Sequence, residues 1–180
     1  MAARGGATKV KSDIMSEDKQ AKREEIVALL THAYWMEIET VMSYIANSVN
    51  PDGVRAREVA ESLEEDILEE LGHARLFARR IKDLYGVVPG SKAFKAEQTY
   101  LQPAAKQTDI VHVIKGVIEA ETGAIQFYTQ IIEETDGVDY ATQDMLIDIL
   151  RDEQGHRRMF EGFLREFEEG QGSSRGSAAR

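Results

Sequence analysis

The sequence predicts an all-α domain: a four-helix bundle of two antiparallel hairpins joined by one long crossover. Three observations predict it. Apolar residues recur at helical spacing over four long stretches. The only prolines, Pro51, Pro89 and Pro103, fall between those stretches, so no helix interior is broken. The connections run short, long, short, and a short connection makes its two helices antiparallel neighbours.

Residues 1–16 are small and polar, with Gly5, Gly6 and scattered Arg4, Lys9 and Lys11, and read as a flexible arm. The bundle is expected over 17–169. Its first helix runs from about Asp18 to Val49, with Ile26, Leu29, Leu30, Ala33, Met36, Val41 and Ile45 at helical spacing. Asn50-Pro51-Asp52-Gly53 stops it. The second helix runs from about Val54 to Tyr85, carries Val59, Leu63, Ile67, Leu71 and Ala74 on one stripe, and ends at Gly86. The linker from about Val87 to Gln107 is long enough to cross the bundle, and a short helix is expected in it near Lys92–Tyr100. The third helix starts at Thr108-Asp109, a capping pair, and ends before the turn Asp136-Gly137. The fourth runs from about Val138 to Glu169. Residues 170–180, rich in Gly and Ser, read as a disordered tail.

Bulk composition narrows the function. The chain has 180 residues and no cysteine, which excludes disulfides, thiolate zinc sites and iron–sulfur clusters. No apolar run approaches the roughly 20 residues of a membrane helix, and Met1 to Val10 lack a secretory core. A cytoplasmic location is therefore expected. The net charge of −10 argues against a nucleic-acid grip, which needs a basic face. The three cations of the arm are too few to reverse this.

The two halves of the chain repeat one pattern. Glu37 is followed seven residues later by Tyr44, and then by Glu70-Leu71-Gly72-His73. Glu121 is followed seven residues later by Tyr128, and then by Glu153-Gln154-Gly155-His156. A three-residue step puts Glu and His on one helix face, one turn apart, where both reach one metal ion. A seven-residue step is two turns, so each Tyr lies under its Glu and is placed to hydrogen-bond a metal-bound carboxylate. Glu37 to Glu70 is 33 residues and Glu121 to Glu153 is 32, so each lone Glu meets its pair at one height of its hairpin. Four carboxylates and two imidazoles then share one level of the core. That hard-to-borderline set suits two iron or manganese ions, with zinc as a further occupant. Four negative charges balance two divalent ions. Without metal they are costly to bury.

Other residues carry plainer readings. His32 and His112 point away from the Glu positions and read as surface or interface histidines. Trp35 reads as packing, and Met36, Met42, Met145 and Met159 as core fillers. Glu64-Glu65-Asp66 reads as a solvated helix face. Gly72 and Gly155 cost helix stability; close helix approach near the site and a neutral relic of duplication are both open.

Over residues 20 to 167 these motifs make the chain resemble the ferritin-like di-iron proteins, particularly bacterioferritins and Dps-like proteins with a bacterioferritin-type site. Short, long, short connections are also that group's pattern, and its Glu plus Glu-x-x-His arrangement is a known one. Ala120-Glu121-Thr122-Gly123-Ala124-Ile125 is especially similar to the Dps-like group. The resemblance implies metal ligands at Glu37, Glu70, His73, Glu121, Glu153 and His156. It implies two iron ions and a ferroxidase that oxidises Fe(II) with O2 or H2O2 for iron storage, detoxification and oxidative-stress protection. Tyr44 and Tyr128 are the candidate catalytic residues, orienting ligands and passing electrons.

The departures refine this. Leu71 stands where bacterioferritins carry their haem-binding Met, so no haem is expected. Gly123 stands where several Dps-like members carry Cys. The poor helix former after Glu169 lowers a 24-subunit shell relative to a 12-mer cage or a dimer. Two alternatives stay open: a non-storage di-iron or di-manganese oxidase or peroxidase, and a DNA-protecting shell, against which the net charge weighs.

Overall fold

The computed structural model describes residues 13–176, and side chains to residue 169. Four helices make the domain: α1 (Gln20–Val49), α2 (Arg57–Asp83), α3 (Ile110–Thr135) and α4 (Tyr140–Gly176). No strand occurs among the described residues. The main packing is α1 on α2 and α3 on α4, so the two hairpins are the units of the bundle. No helix of the described residues is long and apolar enough to cross a membrane.

Local chemistry ends the helices where turn residues stand. Asp109 caps α3 by accepting the backbone N–H of His112 at 3.2 Å. Past α2, Tyr85 takes a positive φ of 65° and the N–H of Gly86 returns to the carbonyl of Ile81. A side chain at residue 86 would meet Ile81 and Val27 at 2.8 Å, so this position needs glycine. Gly137, with φ 65°, turns the chain from α3 to α4.

Three expectations shift at the chain's ends and in the linker. Of the arm, residues 1–12 lie outside the described residues, but Ile14 is buried in the core and Met15 packs beside it. Arg23 fixes this segment by donating to the carbonyls of Ile14 and Ser16. Helix α4 continues to Gly176, past the expected end at 169. The linker holds two 3-10 turns, Ser91–Ala93 and Thr99–Leu101, rather than a helix. Buried Glu39 anchors it by accepting the backbone N–H groups of Glu97 and Gln98.

Two apolar clusters fill the core. One gathers Ile26, Leu30, Phe77, Ile81, Ile131 and Leu146; the other gathers Val59, Leu63, Leu101, Ile114, Val117 and Phe160. In the register of the helices, every buried Glu-x-x-His residue falls between the two.

Candidate metal centre

All six predicted residues meet in the layer between the apolar clusters. Glu37 comes from α1, Glu70 and His73 from α2, Glu121 from α3, and Glu153 and His156 from α4. Each is buried, and the four carboxylates are at most 2% exposed. Their side chains form two groups in which the ligand atoms lie within 4.8 Å of one another. The first is Glu37, Glu70, His73 and Glu153; the second is Glu70, Glu121, Glu153 and His156. Glu70 and Glu153 belong to both.

Distances express the same division. His73 Nδ1 lies 3.2 Å from Glu70 Oε2, 3.2 Å from Glu153 Oε1 and 3.9 Å from Glu37 Oε1. His156 Nδ1 lies 3.4 Å from Glu70 Oε1, 3.4 Å from Glu153 Oε2 and 4.0 Å from Glu121 Oε1. Glu70 and Glu153 each contact both imidazoles. Glu37 belongs to the His73 side and Glu121 to the His156 side.

The outer nitrogens meet a second ring of acids. His73 Nε2 is 3.4 Å from Asp152 Oδ2. His156 Nε2 is 3.2 Å from Glu69 Oε2 and 3.7 Å from Asp66 Oδ1. An imidazole that donates Nε2–H outward keeps a lone pair on Nδ1, aimed at the inner carboxylates. Glu69 and Asp152 were not singled out by the sequence reading, although a signal existed: an acid stands directly before the Glu in both Glu-x-x-His motifs. Asp66 corrects the reading of its acidic run as a solvated face. Glu64 and Glu65 are exposed, but Asp66 is 5% exposed.

The tyrosines cross the bundle. Each was expected under its own Glu, yet Tyr44 donates to Glu121 Oε1 and Tyr128 donates to Glu37 Oε1. The seven-residue step put both on the inner face, and from there each phenol reaches the opposite hairpin. Both rings are fully buried.

Charge crowding sets the proton distribution. Burial, joined by repulsion from Glu70 and Glu153, raises the Glu37 carboxyl well above the usual range. Glu121 rises likewise, through burial and then Glu153 and Glu70. Burial pulls the imidazoles down, but the negative charge of Glu153 and Glu70 close to each Nδ1 outweighs it. His73 is pushed up to about 10 and His156 up to about 12. Against the effect of burial, the two imidazoles close by hold Glu153 below the ordinary carboxylate range.

The donor set fits a pair of cations. Glu153 Oε1 and His156 Nδ1 are buried and lack a hydrogen-bond partner, although acids and imidazole surround them. Unpaired buried polar atoms are costly. A divalent ion in each group would satisfy them and neutralise the four carboxylates.

Several other expectations meet the structure here. His32 is exposed, edge-on to Phe127, and exposed His112 contacts the carbonyl of Gln102 through Nε2. Trp35 packs on Tyr34 and Phe94. Met36 and Met145 pack against the core, but Met42 and Met159 are exposed, not fillers. An added Cβ at Gly72 or Gly155 would meet nothing within 4 Å, so neither glycine serves close helix approach.

Comparison with known proteins gives one answer. A DNA protection during starvation protein of Pyrococcus furiosus is 29% identical over 143 residues, 78% of this chain and 77% of that one. A bacterioferritin of Desulfovibrio desulfuricans is 23% identical over 148 residues, 82% and 78% of the two chains. Among solved structures, a dodecameric thioferritin of Bacteroides fragilis superposes with a TM-score of 0.78 at 28% identity, covering 84% of this chain and 90% of that one. The D. desulfuricans bacterioferritin, whose structure describes a diiron site, superposes at 0.73 with 21% identity over 86% of each chain. The family profile of the ferritin-like domain matches residues 27–169, the whole span that builds the two ligand groups, and the chain belongs to the ferritin-like family.

Proposed function

We propose that the chain is a ferroxidase that takes two Fe(II) ions between Glu37, Glu70, His73, Glu121, Glu153 and His156. The carrying observation is the pair of four-residue groups that share Glu70 and Glu153. Glu37 and His73 would hold one ion and Glu121 and His156 the other, with Glu70 and Glu153 common to both groups. Each Fe(II) gives up one electron. O2 accepts two electrons and two protons to become H2O2, and H2O2 accepts two of each to become two waters. Tyr44 and Tyr128 act as positioning residues, each fixing one terminal carboxylate from the opposite hairpin. Iron is favoured by the family; manganese and zinc suit the same donors, and Leu71 offers no haem ligand.

The same reading makes the chain a cytoplasmic subunit of a homo-oligomer, a 12-mer cage or a dimer. Helices α1 and α2 expose Met42, Ile45, Val49, Leu68, Leu71 and Leu76, with Leu68 74% exposed. Such side chains favour a covered face, and the B. fragilis relative is dodecameric. Direct DNA contact is disfavoured by the charge of −10.

Anaerobic Fe(II) titration followed by O2 or H2O2 tests the reading. The expected result is an absorbance change that saturates at two iron ions per chain and is lost in Glu121→Ala. No saturation at two, or a Glu121→Ala protein that behaves as wild type, would overturn it. Native mass separates the cage from a non-storage dimer.

A further inference from the structure

The inner ligands of the two halves match one for one, but their surroundings do not. Each imidazole has one half-exposed outer partner within 4.0 Å, Asp152, 42% exposed, for His73 and Glu69, 47% exposed, for His156; Glu69 also lies within 4.8 Å of the His73–Asp152 pair. Among the described residues His156 alone has a second outer acid within 4.0 Å. Asp66 stands four residues before Glu70, and its side chain is 7% exposed. Four residues before Glu153 the other half carries Ile149, a core residue. Among the described residues the only ion-pair contact of Asp66 is with His156 Nε2, and its Oδ2 is buried without a hydrogen-bond partner. A buried carboxylate with an unmet oxygen is costly, and Ile149 shows that the position does not need one.

We propose that Asp66 is a positioning residue for His156 and makes the two metal positions unequal. The inference rests on the two-metal reading above. A half-exposed carboxylate such as Glu69 shares its charge with solvent. A buried one acts through a lower dielectric, so Asp66, 3.7 Å from His156 Nε2 and outside hydrogen-bond distance, holds the Nε2–H in place by its charge. That hold fixes the ring and raises the basicity of Nδ1, which strengthens the ion on the His156 side. His73 has no such support, so its ion binds second and more weakly.

Anaerobic Co(II) binding, followed by visible absorption, tests this on the full chain. Glu37→Ala leaves the His156 half intact, and Glu121→Ala leaves the His73 half. Asp66→Asn is expected to weaken Co(II) about 10-fold or more in the Glu37→Ala background, the scale for losing an outer partner. In the Glu121→Ala background it should leave the affinity unchanged. Wild type should load in two resolved steps, which Asp66→Asn brings together. Equal weakening in both backgrounds, or none in either, would overturn the role of Asp66 while wild type still bound two ions. Wild type that bound no pair would instead overturn the two-metal reading. If Asp66→Asn fails to fold, Asp66→Ile, which copies Ile149, takes its place with the same expectations.

Discussion

The bundle's interior is made of two kinds of layer. The outer ones hold side chains such as Leu30, Ile81, Leu63 and Ile114, each fully buried and in need of no partner beyond its neighbours. The middle one holds four carboxylates and two imidazoles, all buried, with orphaned atoms among them. The apolar side chains of the outer layers are complete as folded, although Asn47 Oδ1 is buried beside one of them without a partner. The middle layer is complete only with something added. Burial therefore stabilises at the ends of the bundle and is an unmet cost at its centre.

The sharpest way to test that contrast is to damage an outer layer. Leu30→Ala should lower stability by about 2–5 kcal/mol, the usual range for a buried Leu truncation. The loss should be the same with and without divalent metal. Urea unfolding followed by circular dichroism measures it. A loss that depended strongly on metal would mean that the layers are not independent.

Next comes the middle layer itself. Metal at 100 times its dissociation constant should stabilise wild type by about 2.7 kcal/mol for one site that only the folded state offers. Glu121→Ala should lose most of the gain on the His156 side. Thermal melts with Co(II) or Zn(II) report it. Should Glu121→Ala gain as much as wild type, the stabilising ion sits elsewhere.

A third effect is the dependence on pH: as pH rises, metal-free stability should fall while the stabilisation that metal adds should grow. His73 and His156 titrate from an ordinary 6.5 up to about 10 and about 12 in the folded protein. A raised folded value stabilises fully below 6.5 and loses that contribution as pH rises through the folded value. The raised Glu37 and Glu121 carboxyls act in the same direction from 4.5 upward. Metal-free protein should therefore melt lower as pH climbs above 6.5. Metal needs deprotonated ligands, so the shift it produces should grow over the same interval. Melting curves between pH 6 and 9, with and without Zn(II), check both signs.

Much of this contrast was legible in the amino-acid order. The turn at Asn50–Gly53, the cap at Asp109 and the doubled Glu-x-x-His motif depend on local spacing, which a helix converts directly into position. The crossed tyrosine bonds did not show, because periodicity assigns Tyr44 and Tyr128 to a face but does not say which hairpin they reach across the core. Asp66 was hidden by its neighbours: in an acidic run, one residue in three or four still turns inward. Ile14 was hidden by the polar average of the arm. The extra turns of α4 run over a Gly- and Ser-rich stretch whose propensity does not predict helix.

The smallest expected effect lies in the backbone of the middle layer. Gly72 and Gly155 stand inside helices, one residue before His73 and His156, where glycine costs helix stability. Open space faces both positions, so an added methyl meets no neighbour. Gly155→Ala should therefore raise stability by about 0.4–1 kcal/mol, chiefly by restricting the unfolded chain. The urea midpoint should rise with no change in slope. If the midpoint fell instead, the glycine would be needed by a covering partner or by motion of His156. The gain, by contrast, would mean that the middle layer gives up stability in its backbone as well as in its buried charges.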